Sequence, residues 1–190
     1  MGAMKNTMKA GAALLAFALS AGAAWGGGVT ATLKGGYFLP TAEVFRDVYS
    51  GGLTFGADAT VPIGGVFQVW TGVEYFGKTG LTTVTEEETK VRVVPVHLGL
   101  RCEFGEKALH PYVGAAAAYF LLHEENALGT VSEGGLGFLA QAGVMARIGG
   151  AVWLDIYAGY RGCKLTLQEP EPIEAKLDGV SAGFGIAFRF

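Results

Sequence analysis

The residues of this chain that could do chemistry are few, and their spacing decides whether any of them work together. The three histidines, His97, His110 and His123, are too far apart for any two to form a short metal-ligand pair, so no zinc or other metal is expected. His123 with Glu124 and Ser132 supplies the residue types of a base, an acid and a nucleophile. No short motif holds the hydroxyl beside the imidazole, and the set reads as polar residues of a water-facing loop. Glu86-Glu87-Glu88 could hold calcium or a polycation, yet a run of like charge more often marks a solvated loop tip. The proline-punctuated run Glu169-Pro170-Glu171-Pro172 reads as flexible and exposed for similar reasons. No phosphate-cradling glycine loop occurs. No cofactor is implied, and no residue is assigned as catalytic.

A second set of charges is united by parity instead of proximity. The chain closes with VSAGFGIAFRF, in which Val180, Ala182, Phe184, Ile186, Phe188 and Phe190 alternate with Ser181, Gly183, Gly185, Ala187 and Arg189. Period two is the signature of a strand with unlike faces. The same pattern runs through Val29 to Tyr37, Leu53 to Val61, Phe67 to Tyr75, Lys90 to Phe104, Pro111 to Leu122, Phe138 to Ile148 and Val152 to Tyr160, which makes eight strands. In Lys90 to Phe104, Val91 and Val93 fall out of phase with Val94 to Phe104, and a bulge near Val93 to Pro95 is expected to reconcile them. In the strand from Pro111, both parities are apolar; Val113, Ala115, Ala117, Tyr119 and Leu121 are taken as its outward set. The parity opposite the bulky residues collects Lys34, Asp58, Glu74, Arg101, Glu103, Arg147, Asp155 and Arg161.

Composition says which parity faces water. The chain has 190 residues, 51% hydrophobic and only 16% charged, with 31 glycines, too little Lys and Glu for an ordinary aqueous surface. The minor parity carries Gly36, Gly56, Gly72, Gly99, Gly143, Gly159, Gly183 and Gly185. That suits a crowded small lumen better than a solvated exterior, and argues against a soluble barrel with the phenylalanines inside. The bulky parity is therefore expected to face lipid, with closure satisfying every backbone group. Trp70, Phe76, Trp153 and Tyr157 share the lumen with the charges, so the interior set is expected to form a paired plug, not an open pore. Asp58, Arg101, Glu103, Arg147 and Asp155 fall toward one end of it and Lys34, Glu74 and Arg161 toward the other.

Residues 1–23 read as an export signal: Lys5 and Lys9, an apolar stretch Ala10 to Leu19, and a small-x-small site at Ala21-Gly22-Ala23. Residues 24–190 form the barrel domain. Removing the signal leaves twelve Lys and Arg against seventeen acids, a net charge of −5, and nucleic acid is excluded as a partner. Cys102 and Cys163 fall on opposite parities near opposite rims and are expected to be free thiols. Connections are short at Pro62 to Gly65, Gly105 to His110 and Gly149 to Ala151, and longer at Pro40 to Ser50, Lys78 to Thr89, His123 to Gly134 and Leu165 to Lys176. Tight periplasmic turns and long outer loops have this asymmetry, which puts both termini in the periplasm of a Gram-negative cell. A turn of three residues through Ala151 would pair Arg147 with Trp153 on the polar face and leave Arg147 diagonal to Asp155, within reach of a salt bridge.

The signal, the eight alternating strands and the terminal Phe188-Arg189-Phe190 resemble the small eight-stranded outer-membrane β-barrel family that includes the membrane domain of outer-membrane protein A and the opacity proteins. GGYFLP (35 to 40), FRDVYSGG (45 to 52) and PYVGAAAAY (111 to 119) are similar to stretches of that group. The resemblance implies an all-β, up-and-down transmembrane barrel in the outer membrane. It also implies that Phe184, Ile186, Phe188 and Phe190 form an assembly signal read by the barrel-assembly machinery, and it brings no catalytic residues. Lipid and lipopolysaccharide of that membrane are the expected partners, with any external partner unknown; cations held by Glu86-Glu87-Glu88 would bridge lipopolysaccharide phosphates. The function expected is non-enzymatic, in surface interaction or membrane organisation. The alternatives are a narrow channel for small hydrophobic molecules and a lipid-modifying enzyme, although the His-x-Ser arrangement of one barrel-borne deacylase class is missing.

Overall fold

The computed structural model describes residues 28–42, 46, 50–81, 88–105, 107–126, 129–168 and 172–190; the predicted signal, Glu86-Glu87 and Glu169 to Glu171 lie outside them. The strands are β1 (Thr30–Pro40), β2 (Gly52–Gly64), β3 (Phe67–Leu81), β4 (Glu88–Glu103), β5 (Leu109–Asn126), β6 (Gly129–Gly149), β7 (Val152–Gln168), β8 (Pro172–Lys176) and β9 (Gly179–Arg189). Neighbours pair antiparallel in chain order. β9 closes the ring by pairing with both β1 and β7. The short β8 pairs only with the far end of β7 and is the outer part of the last strand, broken from β9 at Leu177 and Asp178. Leu177 N–H still bonds Cys163 O across that break, at 2.9 Å. The result is a closed barrel of eight strands, with the last in two pieces.

Alternation sets the two faces. Leu33, Phe55, Leu98, Leu136 and Phe184 are each 60 to 76% exposed, while Lys34, Asp58, His97, Arg101 and Asp155 are buried. Water would penalise such a wall and hydrocarbon would not, which fits a spanning barrel. Val113, Ala115, Ala117 and Tyr119 of β5 face outward as expected.

Three features differ from the sequence reading. β4 has no bulge: Val73 opposite Val96 and Phe76 opposite Val93 share one register with β3. Val91 and Val93 are simply inward residues, because the lumen itself is apolar at that level. The connection after β6 keeps the expected pairing of Arg147 with Trp153 by another route. Gly150 (φ 51°) and Ala151 form the turn, and a register shift between Arg147 and Gly149 restores the parity. Thirdly, much of the long connections is strand. β3 runs to Leu81 and β4 starts at Glu88, while β5 and β6 pair out to Asn126 opposite Gly129. Where the apolar band of the wall ends, both faces of a hairpin can meet water, so the ladder continues after the hydrophobic alternation has stopped.

Candidate functional site: a stratified lumen

Because inward residues arrive at fixed heights along each strand, the interior is layered. Nearest the long connections is an apolar cap of Phe38, Phe76, Val91, Val93, Phe120, Leu122, Cys163 and Leu177. Phe38 and Phe76 meet edge to face at 5.3 Å. The residual space among Phe38, Phe76, Val93, Phe120, Arg161 and Leu177 is about 10 Å³, barely room for one water. Beneath it the Arg161 guanidinium lies 3.9 Å from the Phe38 ring and donates to Glu74 Oε2 at 3.0 Å.

The middle layer is a chain of hydrogen bonds across the barrel. Lys34 Nζ donates to Asp58 Oδ2 and to Gln141 Oε1, both at 2.7 Å. Trp70 Nε1 donates to the same Asp58 oxygen at 2.9 Å. Gln141 Nε2 donates to the Tyr112 hydroxyl at 2.5 Å, which in turn donates to Asp155 Oδ1 at 2.9 Å. His97 packs on Trp70 at 4.5 Å with Nε2 3.7 Å from Asp58 Oδ1. Gly72 makes this possible, since a methyl there would lie 2.8 Å from the His97 ring and collide with the Asp58 carboxylate.

The floor, at the short-turn end, is organised by Glu103. Its Oε1 takes His110 Nδ1 and Arg189 Nη2, each at 2.7 Å, and its Oε2 takes Gln68 Nε2 at 3.1 Å. Arg101 Nη2 is 3.5 Å away, and its guanidinium stacks 3.3 Å from the Tyr112 ring. Arg189 also bonds Thr30 Oγ1 at 3.1 Å and lies over Trp153. The penultimate residue thus reaches β4 across the bottom of the barrel.

Seven of the eight charges assigned to the interior, Lys34, Asp58, Glu74, Arg101, Glu103, Asp155 and Arg161, are buried in these layers. Arg147 is not among them. It is exposed beside its turn, where Nε donates to Gly150 O at 3.1 Å, and Asp155 takes the Tyr112 hydroxyl instead of an Arg147 salt bridge. The last inward position of a strand lies past the lumen, so parity alone misplaces it. Gln141, Tyr112, Gln68, His110 and Arg189 were missed as members of the network; all five lie at inward parity, on β3, β5, β6 or β9, and a filter on charge passes over the neutral linkers Gln141, Tyr112 and Gln68. Phe184, Ile186, Phe188 and Phe190 form the exposed outer stripe of the closing strand. Cys102 and Cys163 are free.

The His123, Glu124 and Ser132 set is split by the wall. His123 and Ser132 face each other across β5 and β6, with Nδ1 and Oγ 2.7 Å apart. Glu124, the next residue on the strand, turns to the other face and accepts from Thr89 Oγ1 at 3.1 Å. The residue opposite His123 on its other side is Arg92, so no acid orients the imidazole in this row. Among the described residues no group of three or more His, Cys, Asp or Glu could hold a metal ion.

With this geometry in view, solved structures similar to it are informative about fold. Neisserial surface protein A superposes with a TM-score of 0.60 at 11% identity, over 86% of this chain and 97% of that one. Outer membrane protein W of E. coli gives 0.58 at 18% identity, over 86% and 98%. The attachment invasion locus protein of Yersinia pestis, solved with the heparin analogue sucrose octasulfate, gives 0.56 at 12% identity, over 86% and 99%. The fold is that of the small eight-stranded outer-membrane β-barrels. No protein-family model and no curated protein sequence matches the chain.

Proposed function

We propose that this protein is a non-enzymatic barrel of the bacterial outer membrane, stoppered by its own side chains, whose work is done by its long-loop end and its lipid-facing wall, in surface interaction or membrane organisation. The observation that carries this reading is the unbroken interior: an apolar cap with about 10 Å³ of free space stands on a charged network, which stands on the Glu103 floor. A solute would have to separate buried ion pairs as well as the cap, at a cost of several kcal/mol. Surface contact also accords with the sucrose octasulfate bound by the Yersinia pestis protein of the same fold. The orientation proposed places both termini in the periplasm and the long connections outside.

Two measurements test it. Reconstituted in planar bilayers, the protein should give no steady conductance, and a stable open level would refute the stopper. Protease added to whole cells should cut at the long connections; cleavage restricted to the periplasmic face would reverse the orientation. The apolar cap favours one rival, a narrow conduit for small apolar molecules. A labelled alkane entering wild-type cells faster than deletion cells would support that rival.

A further inference from the structure

The lumen uses most of the buried charge, but a different set of charges sits on the outer wall, and its distribution is one-sided. Among the side chains the structure describes, the basic residues on the outward parity are Lys90, Arg92, His123, Lys164 and Lys176. Every one lies at the long-loop end, directly after the apolar run of its strand: beyond Val94 on β4, Leu121 on β5, Tyr160 on β7 and Val180 on the last strand. The described acids of that band are Glu125, opposite Lys90, and Asp178, whose Oδ1 accepts the Cys163 N–H at 3.1 Å. At the other end Lys107 is exposed in a turn and Arg147 near the end of β6. Among the described side chains, the outward cations are thus gathered on one rim.

The register sharpens this. Lys164 and Lys176 stand directly opposite on β7 and β8, and both are exposed. Like charges facing each other across a ladder destabilise it unless an anion lies between them. Below them Phe138 and Tyr160 have ring centroids 5.9 Å apart, and the Phe138 ring lies over Gly162, where a methyl would come within 2.7 Å of it. The second cluster has the same build. Arg92 is opposite His123, which holds Ser132, and the Tyr75 ring lies over Gly77, beside Arg92. Cations above aromatic rings at the edge of an apolar band match a lipid whose acyl chains lie along the wall and whose phosphate reaches the rim.

We infer that this rim binds the phosphate groups of phosphorylated lipids in the leaflet around the long-loop end, with Lys164 and Lys176 as one clamp and Arg92, Lys90 and His123 as another. This rests on the proposed membrane insertion, and it names the lipid partner of that wall.

The test is native mass spectrometry of the full chain in detergent micelles, titrated with diphosphoryl lipid A or with phosphatidylcholine. Folding is checked for each variant by its heat-modifiable gel mobility. The wild type should retain lipid A adducts, and Lys164→Gln with Lys176→Gln should weaken them about tenfold or more. Adding Arg92→Gln should weaken them further, while Lys107→Gln at the other end and all phosphatidylcholine adducts stay unchanged. Undiminished lipid A binding in the folded double variant would overturn the inference, as would an equal loss in Lys107→Gln. Displacement of the lipid by an equal concentration of inorganic phosphate would overturn the lipid as occupant. A chain that does not fold into micelles at all would instead sink the membrane reading.

Discussion

The two ends of the lumen solve one problem by opposite means. At the long-loop end the space is filled by shape: Phe38, Phe76, Val93, Phe120 and Leu122 pack against each other and need no particular partner. In the middle and at the floor it is filled by pairing: Lys34, Asp58, Gln141, Tyr112 and Asp155 each hold a named atom of another strand. The difference teaches that tolerance to substitution should follow layer and not depth, since the cap and the middle layer are equally buried. Shape can relax when a side chain changes, whereas a buried charge without its partner has no substitute in a low dielectric.

Removing Asp58 is the harshest way to test that contrast. Asp58→Ala strands Lys34, which is 5% exposed, and leaves Trp70 Nε1 without its acceptor. A loss of about 3–5 kcal/mol is expected, read by urea unfolding in lipid vesicles. Lys34→Met combined with Asp58→Leu should recover a large part of it, because no unpaired charge then remains. If the double variant is no better than the single one, pairing is not what the middle layer needs. In the cap, Phe120→Ala should cost about 3 kcal/mol through the cavity it leaves. Phe120→Leu, keeping most of the volume, should cost under about 1.5 kcal/mol. A penalty for Phe120→Leu as large as that for Asp58→Ala would erase the distinction between the two layers.

The floor sharpens the comparison because it is paired yet partly open to water. Arg189 and His110 are only part-buried where they meet Glu103. Glu103→Gln keeps the shape and removes the charge, so the expected loss is about 1–2 kcal/mol, below that of Asp58→Ala. Because Arg189 lies on the closing strand β9 and Glu103 on β4, the same variant should also slow refolding into vesicles, followed by gel mobility. Unaltered stability and rate would reduce the Glu103 contacts to ornament.

The sequence made the wall legible and the layers illegible, for one physical reason. Hydrocarbon selects bulky apolar residues on one parity along the whole span, so Leu33, Phe55, Leu98 and Phe184 announce their face without reference to any other strand. The lumen imposes no uniform chemistry: on β4 the inward series passes from Val91, Val93 and Pro95 to His97, Arg101 and Glu103. Read locally, that change looks like a slip of register, and a bulge was the natural but wrong inference. Partnerships were harder still. Lys34 and Gln141 are 107 residues apart in the chain and Arg189 and Glu103 are 86 apart, so only the closed register brings them together. Neutral Gln141 and Tyr112 complete a network that a search for charges alone passes over.

Arg147 offers the smallest effect and the cleanest check on where the lumen ends. It shares parity with the interior set and pairs with buried Trp153 across the hairpin, yet its side chain is exposed and, among the described residues, bonds Gly150 O. If burial and pairing are what make the interior charges matter, Arg147→Ala should leave the unfolding midpoint and the bilayer behaviour unchanged within error, as exposed single contacts usually do. A loss approaching that of Glu103→Gln would mean the charged layer continues past the floor to the turn. The stopper would then be one residue deeper on β6 than the hydrogen bonds place it.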